Sequence, residues 1–238
     1  MIDVRDVEYE ADGTVMVGRF AAPAGPGVRP GVLIAHGAPG LDEFARTRPE
    51  QFAAEGFAAL ALDYHGGGRV LDDPEERAAR MNTIGTDTDL LRRLGAAGLA
   101  ALLEQPEVDR SRVAAVGYCF GAVVAMELAR AGTDLRAVVG FHPGLLSLRP
   151  EDSRHITGQV LMCVGADDPL VPPEDRTFFE EEMRAAGVAW QLHVYGGVKH
   201  RFTDPGAARA GSPAMEYHPD ASRRAWRSML DVFADTLR

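Results

Sequence analysis

A chain of 238 residues with 46% hydrophobic and 25% charged content has the make-up of a globular protein with a real core, within reach of one α/β domain over residues 1–238. Its formal charge of -10 repels nucleic-acid phosphate and anionic lipid, and no run of Lys or Arg stands out against it, so nucleic acid and membrane surface are poor partners. Met1 to Asp6 lack the basic start and apolar stretch of a signal peptide, no apolar run reaches bilayer length, and the two cysteines sit in apolar segments rather than at disulfide-framework spacing; a cytoplasmic protein with two thiols is expected.

Residues 2–10 and 14–20 read as two extended segments around Asp12-Gly13, a dipeptide suited to a tight hairpin turn. After the Pro/Gly-rich stretch from Pro23 to Pro30 come short continuous apolar runs: Gly31 to Ala35, Ala58 to Leu62, Val113 to Val116, Ala137 to Phe141, Val160 to Val164 and Leu192 to Tyr195. Runs of that length fit strands buried on both faces of a parallel sheet. Helix-sized segments separate them. The clearest is 221–237, where Trp226, Met229, Leu230, Phe233 and Leu237 recur at helical spacing. The region 66–105 is the longest mostly helical insert, where a cap over a site could be built. The expected fold class is α/β, a doubly wound, mostly parallel sheet with an antiparallel N-terminal hairpin.

Val113 to Gly121 followed by Ala122 to Arg130 reads as strand, sharp turn and helix, with Gly117-Tyr118-Cys119-Phe120-Gly121 at the turn. A nucleophile on so strained a turn needs neighbours without Cβ atoms, because strand and helix backbones pass closely there. A thiol at the first turn of a helix also feels the positive end of the helix dipole, which favours thiolate. Cys119 is therefore the candidate nucleophile. Cys163, mid-strand with no glycine turn, reads as core.

In the α/β-hydrolase order the nucleophile is followed by an acid and then a histidine. Val164 to Pro172 places Asp167 and Asp168 beyond the carboxyl end of a strand, where open α/β sheets gather their sites. Asp168, before Pro169, is the better orienting acid, and Asp167 suits a turn. His200 leaves a later strand after the glycine pair Gly196-Gly197 and is the candidate base; His155, His193 and His218 read as packing or loop residues.

Together, Gly117-Tyr118-Cys119-Phe120-Gly121, the acid loop at Asp168, His200-Arg201-Phe202, and Tyr217, Arg223, Trp226 and Phe233 in the closing segment resemble the dienelactone hydrolase family of α/β-hydrolases. The resemblance implies a Cys119, His200 and Asp168 triad, no metal and no organic cofactor. It also implies a glutamate after the first parallel strand, but Gly37 stands there, within His36-Gly37-Ala38-Pro39-Gly40. That loop is similar to the His-Gly oxyanion loops of esterases and some peptidases. Activation of Cys119 is then expected from His200 and the helix end. Where family members grip a substrate carboxylate with arginine shortly after the histidine, this chain has Thr203 and Asp204, which argues against an acidic dienelactone.

The expected chemistry is hydrolysis of a small lactone or carboxylic ester through a cysteine acyl-enzyme, with backbone N–H groups of Phe120 and Ala38 as oxyanion donors and His36, Tyr118, His65 and His142 near the mouth. Two alternatives carry weight: a general carboxylesterase or acyl-peptide hydrolase-like enzyme, and a non-catalytic thiol-bearing binding or redox-sensing protein, the latter disfavoured because a thiol sensor needs neither His200 nor Asp168.

Overall fold

The N-terminal hairpin forms as the sequence predicts. In the computed structural model, which describes residues 1–238, β1 (Ile2–Ala11) pairs antiparallel with β2 (Thr14–Pro23). Asp12 and Gly13, at φ 50° and 73°, make the two-residue turn, whose left-handed backbone matches the twist of the flanking strands. The other six strands are β3 (Arg29–Ala35), β4 (Ala58–Leu62), β5 (Val108–Tyr118), β6 (Ala137–Phe141), β7 (Gln159–Gly165) and β8 (Trp190–Tyr195). They run parallel to one another, β2 joins them antiparallel through β4, and the eight-stranded order is β1-β2-β4-β3-β5-β6-β7-β8.

β5 starts at Val108 rather than Val113. Its first residues, Asp109 to Arg112, are polar and partly exposed, so they leave no apolar run to read, yet they extend the ladder beside Arg29 and Pro30 across a register shift at Pro30/Gly31. Successive strand residues point to opposite faces, and both faces are buried. Val32, Ile34, Val116 and Val139 pack with Phe52 of α1 (Glu43–Ala54) and with Met229 and Phe233 of α6 (Pro219–Thr236). On the other face Leu33, Leu62, Val138 and Met162 meet Leu94 of α3 (Thr88–Leu103), Val124 and Leu128 of α4 (Phe120–Arg130), and Phe179 and Met183 of α5 (Pro173–Ala186).

Within 66–105, α3 is therefore a layer helix on the sheet. The preceding α2 (Pro74–Thr86) buries only Ile84, and the part of the region beside the site is confined to Val70, Asp72 and Arg77.

At the C-terminal end of α4 a group of charges is enclosed. Arg130 is 2% exposed and donates to Ser153, Glu182 and Glu127, while Arg92 reaches Glu127 at 2.8 Å and Asp152 at 2.8 Å. Ser147 and Ser153 complete the ring by donating to Glu127 and Glu182.

Candidate active site

The strand order decides which loops meet. β3 and β5 are neighbours, in register at Ala35 and Gly117, so the loop at His36-Gly37-Ala38 lies beside the turn at Cys119. β6, β7 and β8 follow in order and deliver His142, Asp168 and His200 to the same carboxyl edge.

Cys119 sits at φ 56° and ψ -121°, a conformation rare for any residue with a side chain. Its N–H donates to Phe141 O at 3.0 Å and its carbonyl accepts from Ala122 N at 3.1 Å, so both sides of the turn are held. A Cβ on Gly117 would lie 2.2 Å from Ala122 N, and one on Gly121 would lie 2.1 Å from Ala35 O. No side chain fits at either position.

His200 donates from Nδ1 to Asp168 Oδ2 at 2.6 Å, since a carboxylate only accepts; this places the lone pair on Nε2 in the neutral ring. Asp168 is 3% exposed, and its other oxygen accepts from Leu170 N at 2.9 Å. Asp167 is exposed and its backbone N–H holds Val198 O. His200 is fixed on its far side as well: its N–H donates to Ala214 O, and its carbonyl accepts from Glu216 N, both at 3.0 Å. Nε2 has no closed hydrogen bond and is buried on the side of the half-buried Cys119.

Burial is the largest single influence on both groups and opposes charge on each. It is outweighed in His200 by the Asp168 carboxylate and the Cys119 sulfur, which raise the imidazole to about 9. In Cys119 it is outweighed by His200 and by the backbone N–H groups of Phe120 and Ala38, and the thiol falls below its ordinary value. Sulfur and imidazole therefore favour a thiolate–imidazolium pair. Cys163 shows the opposite case: burial pushes it up to about 12, with only the Tyr195 hydroxyl near it.

A cavity of about 610 Å³ opens over the sulfur. Tyr118 and His142 line it; Tyr118 stacks on Phe141 with ring centres 5.1 Å apart, and His142 meets the His200 ring edge-on at 5.1 Å while bonding Thr203 at 2.8 Å. His36 and His65 do not reach the mouth. They are 1% and 6% exposed, because both rings pack against Tyr64 and His65 bonds the Ala38 carbonyl.

Sequence reasoning did not single out the charged rim. Arg77, Arg201 and Arg209 line the cavity with Asp42, Glu43 and Asp72. Arg201 is taken up by Asp42 at 2.8 Å and Asp204 at 2.6 Å, the latter one of the residues standing where an arginine was sought. The one available signal was Arg201 itself, next to the candidate base; its partner Asp42 is 159 residues away in sequence.

Comparison with known proteins agrees with this geometry. The dienelactone hydrolase family model matches residues 16–237. The chain belongs to the dienelactone hydrolase family. Among curated relatives of this hydrolase, carboxymethylenebutenolidase of a Pseudomonas species is 32% identical over 226 residues, covering 90% of each chain. Two solved structures superpose over the whole chain and 99% of their own: m3DLH at TM-score 0.96 and 41% identity, and a dienelactone hydrolase-like promiscuous phosphotriesterase from metagenomic libraries at TM-score 0.96 and 39% identity. The protein is thus a hydrolase of ester bonds rather than a thiol-bearing binding or redox-sensing protein. No helix is long and apolar enough to cross a membrane.

Proposed function

We propose that this enzyme hydrolyses a small lactone or carboxylic ester, uncharged at its reacting end, through an acyl-enzyme on Cys119. The observation that carries the reading is Cys119 on a turn strained to φ 56°, lining one cavity with a His200 that Asp168 holds at 2.6 Å and whose Nε2 is left open.

The Cys119 thiolate adds to the carbonyl carbon, a C–S bond forms, and the displaced electron pair collects on the carbonyl oxygen between the Phe120 and Ala38 N–H groups. Loss of one such donor costs about 100- to 1000-fold in rate. Collapse breaks the C–O bond, and the leaving alkoxide takes the proton of the His200 imidazolium. The now neutral His200 removes a proton from water, which attacks the thioester; the C–S bond breaks and the acid leaves. Asp168 holds the imidazole tautomer throughout and stabilises its cation. No glutamate is required at Gly37, since the imidazolium already favours the thiolate.

Substrate class follows from the rim. Three arginines and three carboxylates balance, and Arg201 is spoken for by Asp42 and Asp204, so a neutral ester or lactone meets less desolvation cost than an anionic one. The relative named for a butenolide, a five-membered lactone, supports a lactone. A neutral phosphotriester is the second reading, favoured by the whole-chain match to a promiscuous phosphotriesterase and by the same charge-balanced cavity.

The test is intact-protein mass spectrometry after mixing with p-nitrophenyl acetate. A transient acetyl adduct on the wild type, absent from Cys119→Ala, is expected; turnover that survives in Cys119→Ala would overturn the reading. Diethyl p-nitrophenyl phosphate in place of the acetate separates the second reading by a phosphoryl adduct.

A further inference from the structure

Two buried imidazoles next to the site take no part in attack or proton transfer as described. His36 Nε2 and His65 Nδ1 are buried and make no hydrogen bond, a desolvation cost that apolar side chains of similar size would not carry. Their other nitrogens are engaged. His36 Nδ1 lies 2.7 Å from Gly37 O, and His65 Nε2 lies 3.0 Å from Ala38 O. A carbonyl only accepts, so His36 carries its proton on Nδ1 and His65 on Nε2.

These two carbonyls flank the Ala38 N–H. Within the planar trans peptide joining Gly37 to Ala38, the carbonyl and the N–H point in opposite directions, so holding the oxygen on one side aims the N–H on the other. Gly37 O also accepts from Gly40 N at 3.1 Å and has the Tyr64 hydroxyl at 3.3 Å; that hydroxyl donates as well to His36 O. The loop needs such holding. Gly37 resists rotation less than any residue with a side chain, and Pro39 has no N–H with which to fix the next peptide. His36 stacks on Tyr64 with ring centres 3.7 Å apart, and His65 lies 4.8 Å from both rings, so the three side chains brace one another.

We propose that His36 and His65, braced by Tyr64, are positioning residues that clamp the carbonyls on either side of the Ala38 N–H and so aim that donor at the developing oxyanion. The proposal rests on Ala38 serving as an oxyanion donor. Burial, reinforced for His36 by the neighbouring His65, keeps the first imidazole well below its ordinary pKa, and burial lowers the second; both rings stay neutral donors across the working range.

The test compares variants that keep or remove each donor. The amide nitrogen of Asn overlays imidazole Nδ1 and that of Gln overlays Nε2, so His36→Asn and His65→Gln keep the N–H while His36→Leu and His65→Leu remove it. Two rates are read on each protein: kcat and KM for p-nitrophenyl acetate, and the plateau rate of Cys119 alkylation by iodoacetamide at high pH, a displacement that forms no oxyanion. The leucine variants are expected to lose about 10- to 100-fold in kcat with KM and the alkylation plateau within about 3-fold of wild type, while the Asn and Gln variants recover most of the loss. A donor-keeping variant no better than its leucine counterpart, alkylation falling in step with turnover, or leucine variants at full kcat would each overturn the clamp. Should one leucine variant fail to fold, the other pair decides by the same comparison, and Tyr64→Phe, which removes one hydroxyl, is expected to show a smaller loss in kcat of the same kind. The acyl-adduct experiment on wild type separates the two failures: an adduct with no effect of the clamp variants sinks the clamp alone, and no adduct sinks the reading beneath it.

Discussion

Helix α4 has a buried ionic group at each end, and the two are built to opposite ends. At its C-terminus Arg130 is enclosed by Glu127, Glu182 and Ser153, with a bond from every guanidinium nitrogen, and Arg130 also sits where a cation favours the helix dipole. At its N-terminus His200 and Asp168 are buried beside the half-buried Cys119, but His200 Nε2 is left open and the proposed nucleophile stands on a strained turn. The first group pairs every nitrogen of its cation and ties α3, α4 and α5 together, with Glu182 Oε2 as its one buried oxygen without a partner. In the proposed mechanism the open Nε2 of the second group is what exchanges protons with the sulfur and the substrate.

That contrast can be broken most directly at the nucleophile. Cys119→Ala is expected to lower turnover of p-nitrophenyl acetate by on the order of 10⁴-fold or more while leaving the urea midpoint near that of wild type. A large loss of stability would mean that the N-terminal group also holds the fold. At the other end Arg130→Met is expected to do the reverse. Removing the cation strands Glu182 in the interior, while Glu127 keeps Arg92, and should cost about 3–5 kcal/mol in urea unfolding, with kcat of the folded enzyme preserved.

Proton linkage sharpens the comparison. His36 and His142 are held well below the ordinary histidine value by burial, with neighbouring His65 and His200 adding to it respectively. Below pH 6.5 the unfolded chain takes up protons there that the native state refuses, so the stability they contribute above pH 6.5 is lost as pH falls, at up to about 1.4 kcal/mol per pH unit for each. His200, raised to about 9, has the opposite sign: its contribution is full below about 6.5 and is lost as pH rises through 9. Melting curves from pH 4 to 10 are expected to show both flanks, and His142→Phe should flatten the acid one.

The same pair governs rate. Alkylation of Cys119 by iodoacetamide should reach half its plateau below the ordinary thiol value of 9.0, and kcat/KM should fall again near pH 9 as the imidazolium is lost. In His200→Ala the alkylation midpoint should move up. An unshifted midpoint would remove the ion pair from the account. The smallest effect is expected at the rim, where Asp42→Asn frees Arg201 from one of two partners. KM for an ester carrying a carboxylate should fall by about 2- to 5-fold, the size of a partly exposed ion pair, with little change for a neutral ester.

Much of this architecture was legible because apolar runs, glycine spacing and residue order are local signals. The strand from Val160 to Val164 announces itself as a continuous apolar run and the helix ending near Leu237 by its periodicity, and Gly117 and Gly121 announce the tight turn because no Cβ fits there. The start of β5 was not legible: Asp109 to Arg112 are polar and belong to a strand only because Arg29 and Pro30 pair with its beginning. The expectation that His36 and His65 lie near the mouth fails because both are buried. Their side-chain direction depends on the turn after β3 and on Tyr64, which no local pattern reports.

By itself the sequence determined the α/β class and the hairpin, since strand patterning and backbone sterics act between near neighbours in the chain, and residue order put forward Asp168 and His200 as the candidates to accompany Cys119. Only the tertiary structure decided which carbonyls His36 and His65 hold, that Asp42 and Asp204 neutralise Arg201, and that Arg130 is caged at the far end of α4. The contacts of His65 with Ala38, Asp42 with Arg201 and Glu182 with Arg130 join residues far apart in sequence, and hydrogen-bond geometry and desolvation act on the distances that folding creates.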